Sequence, residues 1–102
     1  MSSIAFDGTK VVLTQERLRH ITQRHPEMKN ATKLILDTVA HPDEIYIDCT
    51  GAFHALKRFK TISEFLVVIY AVYDEGYIRT AYYINNSRKT RRYRAYRKLK
   101  LS

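Results

Sequence analysis

The alternation of apolar and polar residues divides the chain into two parts. Up to His41 the apolar positions recur at helical spacing, and beyond Pro42 they recur every second residue or run on without interruption. Lys10–Leu13 reads as a short strand. Thr14 is a good N-cap for a helix that runs to about His25, where Pro26 ends it or starts a new turn. Arg17 stands where a capping box needs Glu or Gln, so the box is incomplete. Asn30 is expected to cap a second helix, Ala31–Ala40, with Ala31, Ile35, Leu36 and Val39 on its buried face and His41-Pro42 as its stop.

After Pro42, Ile45 and Ile47 alternate with Tyr46 and Asp48 in a first strand, and Thr50-Gly51 is a turn. Phe53–Phe59 is a second strand, with Phe53, Ala55, Lys57 and Phe59 on one face and His54, Leu56 and Arg58 on the other. A loop near Thr61–Glu64 leads to Phe65–Tyr73, which is apolar on both faces and so reads as a central strand. Asp74-Glu75-Gly76 is a tight hairpin turn, and Tyr77–Ile84 returns as a fourth strand. Strict alternation puts Ile78, Thr80, Tyr82 and Ile84 on one face of that strand and Arg79 and Tyr83 on the other. The predicted fold class is α+β: two N-terminal helices packed on one face of a four-stranded antiparallel sheet, with the other face free. The segment after Asn85-Asn86 fits an added strand, a short helix or a flexible arm, and the pattern does not choose between them.

The chain is one domain long at 102 residues, with a core expected at about 10–84 and a basic segment at 88–100. A hydrophobic fraction of 45% excludes a disordered composition. The single cysteine, Cys49, excludes an internal disulfide, and no Cys/His group has zinc spacing. Met1–Asp7 carries neither a basic lead nor a long apolar run, and Phe65–Tyr73 is too short to span a bilayer. A cytoplasmic protein without a membrane role is expected.

Charge changes the picture most. The net charge is +8, yet residues 1–87 carry ten bases and ten acids. The excess lies in Arg88, Lys89, Arg91, Arg92, Arg94, Arg97, Lys98 and Lys100, a block with no acid. Such a block attracts polyanions, chiefly nucleic acid or an anionic membrane. The tail has few large apolar residues for the latter, which makes Arg88, Lys89, Arg91, Arg92 and Arg94 candidate phosphate binders on RNA.

Three groups can carry chemistry. On the first helix Leu18, Ile21 and His25 fall within about 60° of one another, and Arg17, His20 and Arg24 form a neighbouring stripe. His20 or His25 can act as a general base on a ribose hydroxyl, with Arg24 on the phosphate. The plainer alternative is that His20 and Arg24 are surface polars and His25 a hydrogen-bonded structural residue. In the second strand Arg58, with Lys57, can hold a phosphate and stabilise a five-coordinate phosphorane; a solvated strand edge is the alternative. In the fourth strand Thr80 can donate to a phosphate oxygen and Tyr82 can stack on a base; ordinary sheet packing is the alternative. No acidic pair is placed to hold magnesium, and no metal or other cofactor is expected.

The helix segment Leu18-Arg19-His20-Ile21-Thr22-Gln23-Arg24-His25-Pro26-Glu27 resembles the H-I-x-x-R-H-P-E signature of small phage and bacterial domains grouped with barnase, EndoU, colicin-type and RelE-like nucleases. His41-Pro42-Asp43-Glu44-Ile45, Lys57-Arg58-Phe59, Leu66-Val67-Val68-Ile69 and Ile78-Arg79-Thr80-Ala81-Tyr82 follow in the same order, so the resemblance covers roughly residues 13–84. BrnT-like toxins are similar more loosely. The resemblance implies helices on a four-stranded antiparallel sheet and a metal-independent, toxin-type endoribonuclease that works by 2′-hydroxyl attack and leaves a cyclic phosphate. Its matching positions are His20, Arg24, His25, Lys57, Arg58, Thr80 and Tyr82. The basic end is a departure from the usual pattern, read as an RNA arm or a segment wrapped by a neutralising partner. RNA, an acidic antitoxin or immunity protein and a second copy in a homodimer are the partners considered. The competing functions are a non-catalytic RNA-binding module and a protein-interaction domain that uses the basic tail.

Overall fold

The computed structural model describes residues 1–59 and 63–101. Among them the chain forms one seven-stranded sheet and three α-helices, in the order β1 (Ser2–Ile4), β2 (Lys10–Val12), α1 (Gln15–Arg24), α2 (Thr32–Ala40), β3 (Glu44–Ile47), β4 (Phe53–Phe59), β5 (Glu64–Val72), β6 (Gly76–Asn85), α3 (Asn86–Tyr93) and β7 (Arg97–Leu99). The order across the sheet is β1-β2-β6-β5-β4-β3-β7. The predicted antiparallel meander is its centre, β3 to β6. The sheet is larger than four strands and mixed, because β2 joins β6 in parallel and β1 and β7 add antiparallel edges. Three-residue edge strands carry too little periodicity to be read from sequence.

The first helix forms as its cap predicts: the Thr14 hydroxyl accepts from the Arg17 backbone N–H at 3.1 Å. Pro26 starts a 3-10 turn, Pro26–Met28. Asn30 does not cap the second helix. It takes a left-handed conformation, φ 65°, leaving the N-cap to Ala31, which makes no side-chain cap bond. Of the loop expected at Thr61–Glu64, Thr61 and Ile62 lie outside the described residues, and Glu64 already belongs to β5.

Two layers of side chains sandwich the sheet. On one side Leu13, Ile21, Met28, Ile35 and Val39 pack with Ala55, Leu66, Val68 and Ala81 beneath α1 and α2. On the other, Tyr46, Leu56, Phe65, Val67 and Ile84 pack with Tyr93 of α3. The second face is therefore not free, and the basic segment is not an arm. The polar sequence of α3 hides its role because a single buried residue, Tyr93, anchors it, and one apolar position makes no periodic stripe.

A β-bulge decides how β6 presents its residues. Ile69 pairs with Thr80 but Tyr70 pairs with Ile78, so Arg79 is the extra residue. Ile78 therefore joins the α1/α2 side with Tyr70, whereas Thr80 opposes Ile69 and Tyr82 opposes Val67 on the α3 side. The predicted grouping of Ile78 with Thr80 is overturned by this one-residue slip. Gly76 opens β6, where an added Cβ would sit 2.8 Å from Val11 Cγ2 and 3.1 Å from the Lys10 carbonyl oxygen. Its small size, more than the turn, lets β2 approach.

Candidate active site

Parallel pairing with β2 involves only Gly76 and Tyr77, so β2 leaves the outer edge of β6 unpaired beyond that point. Helix α1 packs against β6. Arg17, His20, Ile21, Arg24 and His25 from α1 and its C-cap meet Arg79 and Thr80 from the bulge around a hollow of about 280 Å³. Helical spacing brings the α1 residues to one side, and the bulge lets two successive β6 residues reach the same hollow.

His25 is also a wall of the next hollow, about 420 Å³, which it lines with Glu27, Tyr82, Tyr83, Arg88 and Arg92. Its ring centroid is 5.4 Å from that of Tyr82. Arg92 donates a hydrogen bond to the Tyr82 hydroxyl, and its guanidinium carbon lies 5.5 Å from the Tyr82 ring centre. At the opposite end Arg17 and Arg79 line a third hollow with Tyr73 and Tyr77. Arg79 donates to the Tyr73 hydroxyl at 3.0 Å. The three hollows share residues and make one groove along β6.

The groove is cationic. Among the described residues none of Arg17, Arg24, Arg79, Arg88 and Arg92 forms an ion pair. The acids at its rim sit beside the histidines: Glu16 Oε1 is 3.8 Å from His20 Nε2, and Glu27 Oε1 is 3.6 Å from His25 Nδ1. The His25 side chain is 33% exposed and that of His20 54%, so His25 is the more enclosed imidazole.

The residues singled out from sequence divide in two. His20, His25, Arg24, Thr80, Tyr82, Arg88 and Arg92 come together in the groove. Arg58, Lys57 and Lys89 do not. Lys57 lies on the α2 side, 3.2 Å from Asp37 Oδ2, and donates to the His41 carbonyl at 3.3 Å. Arg58 lies two strands away from β6, over the Phe65 ring and 3.7 Å from Glu44 Oε2. Lys89 is 2.7 Å from Glu44 Oε1, and Lys98 approaches the same oxygen at 3.6 Å. Arg91 and Arg94 are exposed on and just after α3. Burial would raise the Glu44 pKa, but hydrogen bonds from Lys89 and Tyr46 and the charges of Lys89 and Lys98 outweigh it and hold the carboxyl below its ordinary range.

Sequence reasoning did not include Arg17 and Arg79 in the site. Arg17 lay on the named helix stripe, so its position was a usable signal. Arg79 carried none, because alternation assigns it to the wrong face unless the bulge is known. Among the described residues no group of three or more His, Cys, Asp or Glu is placed to hold a metal ion, and no helix is long and apolar enough to cross a membrane. Comparison with curated proteins and with solved structures finds no match. The family model described as phage-Barnase-EndoU-ColicinE5/D-RelE like nuclease2 matches residues 3–100, and the chain belongs to that nuclease-like family.

Proposed function

We propose that this chain is a metal-independent endoribonuclease of the toxin type that takes single-stranded RNA along the β6 groove. The observation that carries this reading is the convergence of His20, His25, three arginines and Thr80 on one solvent-open hollow. The 2′-oxygen attacks the adjacent phosphorus, the P–O5′ bond breaks, and the products are a 2′,3′-cyclic phosphate and a 5′-hydroxyl. His25, enclosed between the two hollows, takes the 2′-hydroxyl proton, and His20 on the outer rim returns a proton to the leaving O5′. Arg17, Arg24 and Arg79 stabilise the charge of the phosphorane, and Thr80 donates to a phosphate oxygen. Arg88 and Arg92 hold a neighbouring phosphate. The exposed rings of Tyr73 and Tyr77 at the far end suit base stacking.

The same reading makes an acidic antitoxin or immunity protein the natural partner, since a groove whose five arginines form no ion pair among the described residues is complementary to an acidic surface. The test is end-labelled RNA incubated with the protein in EDTA. Cleavage leaving cyclic-phosphate ends, and its loss in a His20→Ala/His25→Ala double variant, is expected. Salt-dependent binding without cleavage would replace the enzyme with a binding module.

A further inference from the structure

A line of polar side chains, with His54 and Tyr93 buried and Asp48 half-buried, runs from the β3–β4 turn to α3. Asp48 closes the β3–β4 turn: its Oδ1 accepts from the backbone N–H of Thr50 at 2.9 Å and of Ala52 at 3.1 Å. Its Oδ2 is 2.8 Å from His54 Nε2, and His54 Nδ1 is 2.9 Å from the Tyr93 hydroxyl. Burial opposes ionisation of Asp48, but the hydrogen bonds from Thr50, His54 and Ala52 outweigh it and hold the carboxyl well below its usual range. Burial, together with the charge of Arg92, lowers the His54 pKa against the pull of Asp48. A carboxylate only accepts, so Nε2 of the neutral ring carries the hydrogen and Nδ1 accepts from Tyr93. The tautomer is fixed from the turn side.

Tyr93 transmits this arrangement to β6. Its ring meets His54 and Tyr96 edge-on and lies 4.6 Å, centre to centre, from Tyr46. Tyr82 packs on the same cluster, and after burial its hydroxyl is a further cause that holds the Tyr93 phenol protonated. Tyr82 in turn holds Arg92 and the His25 ring. Apolar side chains would fill this space at no desolvation cost, whereas hydrogen bonds specify one arrangement of the elements that carry them.

We propose that the Asp48–His54–Tyr93 line is a positioning device for the groove: it fixes α3 against β4 and the β3–β4 turn, and through Tyr93, on which the Tyr82 cluster packs, holds Tyr82, Arg92 and His25 in one arrangement. No proton travels along it, and Asp48, His54 and Tyr93 touch no substrate. The inference rests on reading the groove as the substrate site.

The test is a double-mutant cycle in the full chain with Tyr93→Phe, Tyr82→Phe and both, each keeping its ring. Tyr93→Phe is expected to lower kcat on the order of tenfold with KM within about twofold, less than the hundredfold that about 1 Å of misplacement can cost. The loss should vanish when Tyr82 is already Phe. A wild-type kcat in Tyr93→Phe, or losses that multiply in the double variant, overturns the proposal. Nitrogen-15 shifts of His54 in the wild-type protein test it without a variant. Nδ1 bare and Nε2 protonated at neutral pH supports it, and a proton on Nδ1 overturns it. If the wild-type protein cleaves no RNA, the nuclease reading fails by itself. The line is then judged by the affinity of the same four proteins for a deoxydinucleotide, with coupling supporting it and additivity overturning it.

Discussion

The groove along β6 and the cluster around Glu44 are both rich in arginine and lysine, yet only the bases of the cluster are paired with a carboxylate. Around Glu44 a carboxylate that is 8% exposed gathers Arg58, Lys89 and Lys98, so each of these three bases has an internal carboxylate within 4 Å. Along β6, five arginines form no ion pair among the described residues, and their field faces solvent. The difference teaches that a count of bases does not locate an anion site. What locates it is which bases lack an internal carboxylate. The basic C-terminal block serves both regions: Lys89 and Lys98 tie α3 and β7 to β3, while Arg88 and Arg92 reach the groove.

Substitutions can sharpen or break this contrast. The largest effect is expected from His25→Ala, which should lower kcat by about 10² to 10⁴, the usual worth of a general acid–base group. Single-turnover cleavage measures it, and unchanged denaturant unfolding shows that the fold is kept. Glu44→Ala should act oppositely, costing about 3 kcal/mol of stability because it leaves Lys89, 15% exposed, without its buried carboxylate. Denaturant titration reads this, and a loss below about 1 kcal/mol, the range of an exposed pair, would end the contrast. Arg79→Ala removes a charge-assisted hydrogen bond worth about 1.5–3 kcal/mol, so kcat/KM should fall roughly ten- to a hundredfold without loss of stability.

Acid should weaken the fold in two windows. His54 has a folded pKa below its ordinary 6.5, so the unfolded chain takes up the proton first and stability declines as the pH drops below that value. Glu44 is held below its ordinary 4.5, and its contribution, full above that pH, is lost as the pH falls through the folded value. Glu44→Gln should shrink the lower window, to which Asp48 also contributes, and leave the upper one, as followed by thermal unfolding across pH. The smallest effect is expected from Arg58→Ala. Its side chain is 53% exposed and its pair 3.7 Å long, so it should cost about 0–1 kcal/mol and leave kcat unchanged. A large loss of activity would return Arg58 to the groove.

Much of this molecule was legible before its coordinates. Thr14 announces the first helix, Pro26 its end, and the period-two segments together with the apolar run Phe65–Tyr73 the four central strands, because these signals act over a few neighbouring residues. The helix segment His20–Glu27 and the strand pieces after it also pointed to the family, whose match extends past 13–84 to residues 3–100 and takes in the basic end that had looked like a departure. His20, Arg24 and His25 line one hollow because α1 and its C-cap carry them at helical spacing. What only the tertiary structure decided depends on contacts between distant segments. The bulge at Arg79 changed which residues of β6 meet α1. The pairing of β6 with β2 stops after Tyr77 and leaves the edge open. A single carboxylate, Glu44, drew Arg58 and Lys89 away from the site. The physical reason is range: capping and alternation act along the chain, whereas pairing register and charge neutralisation act through space.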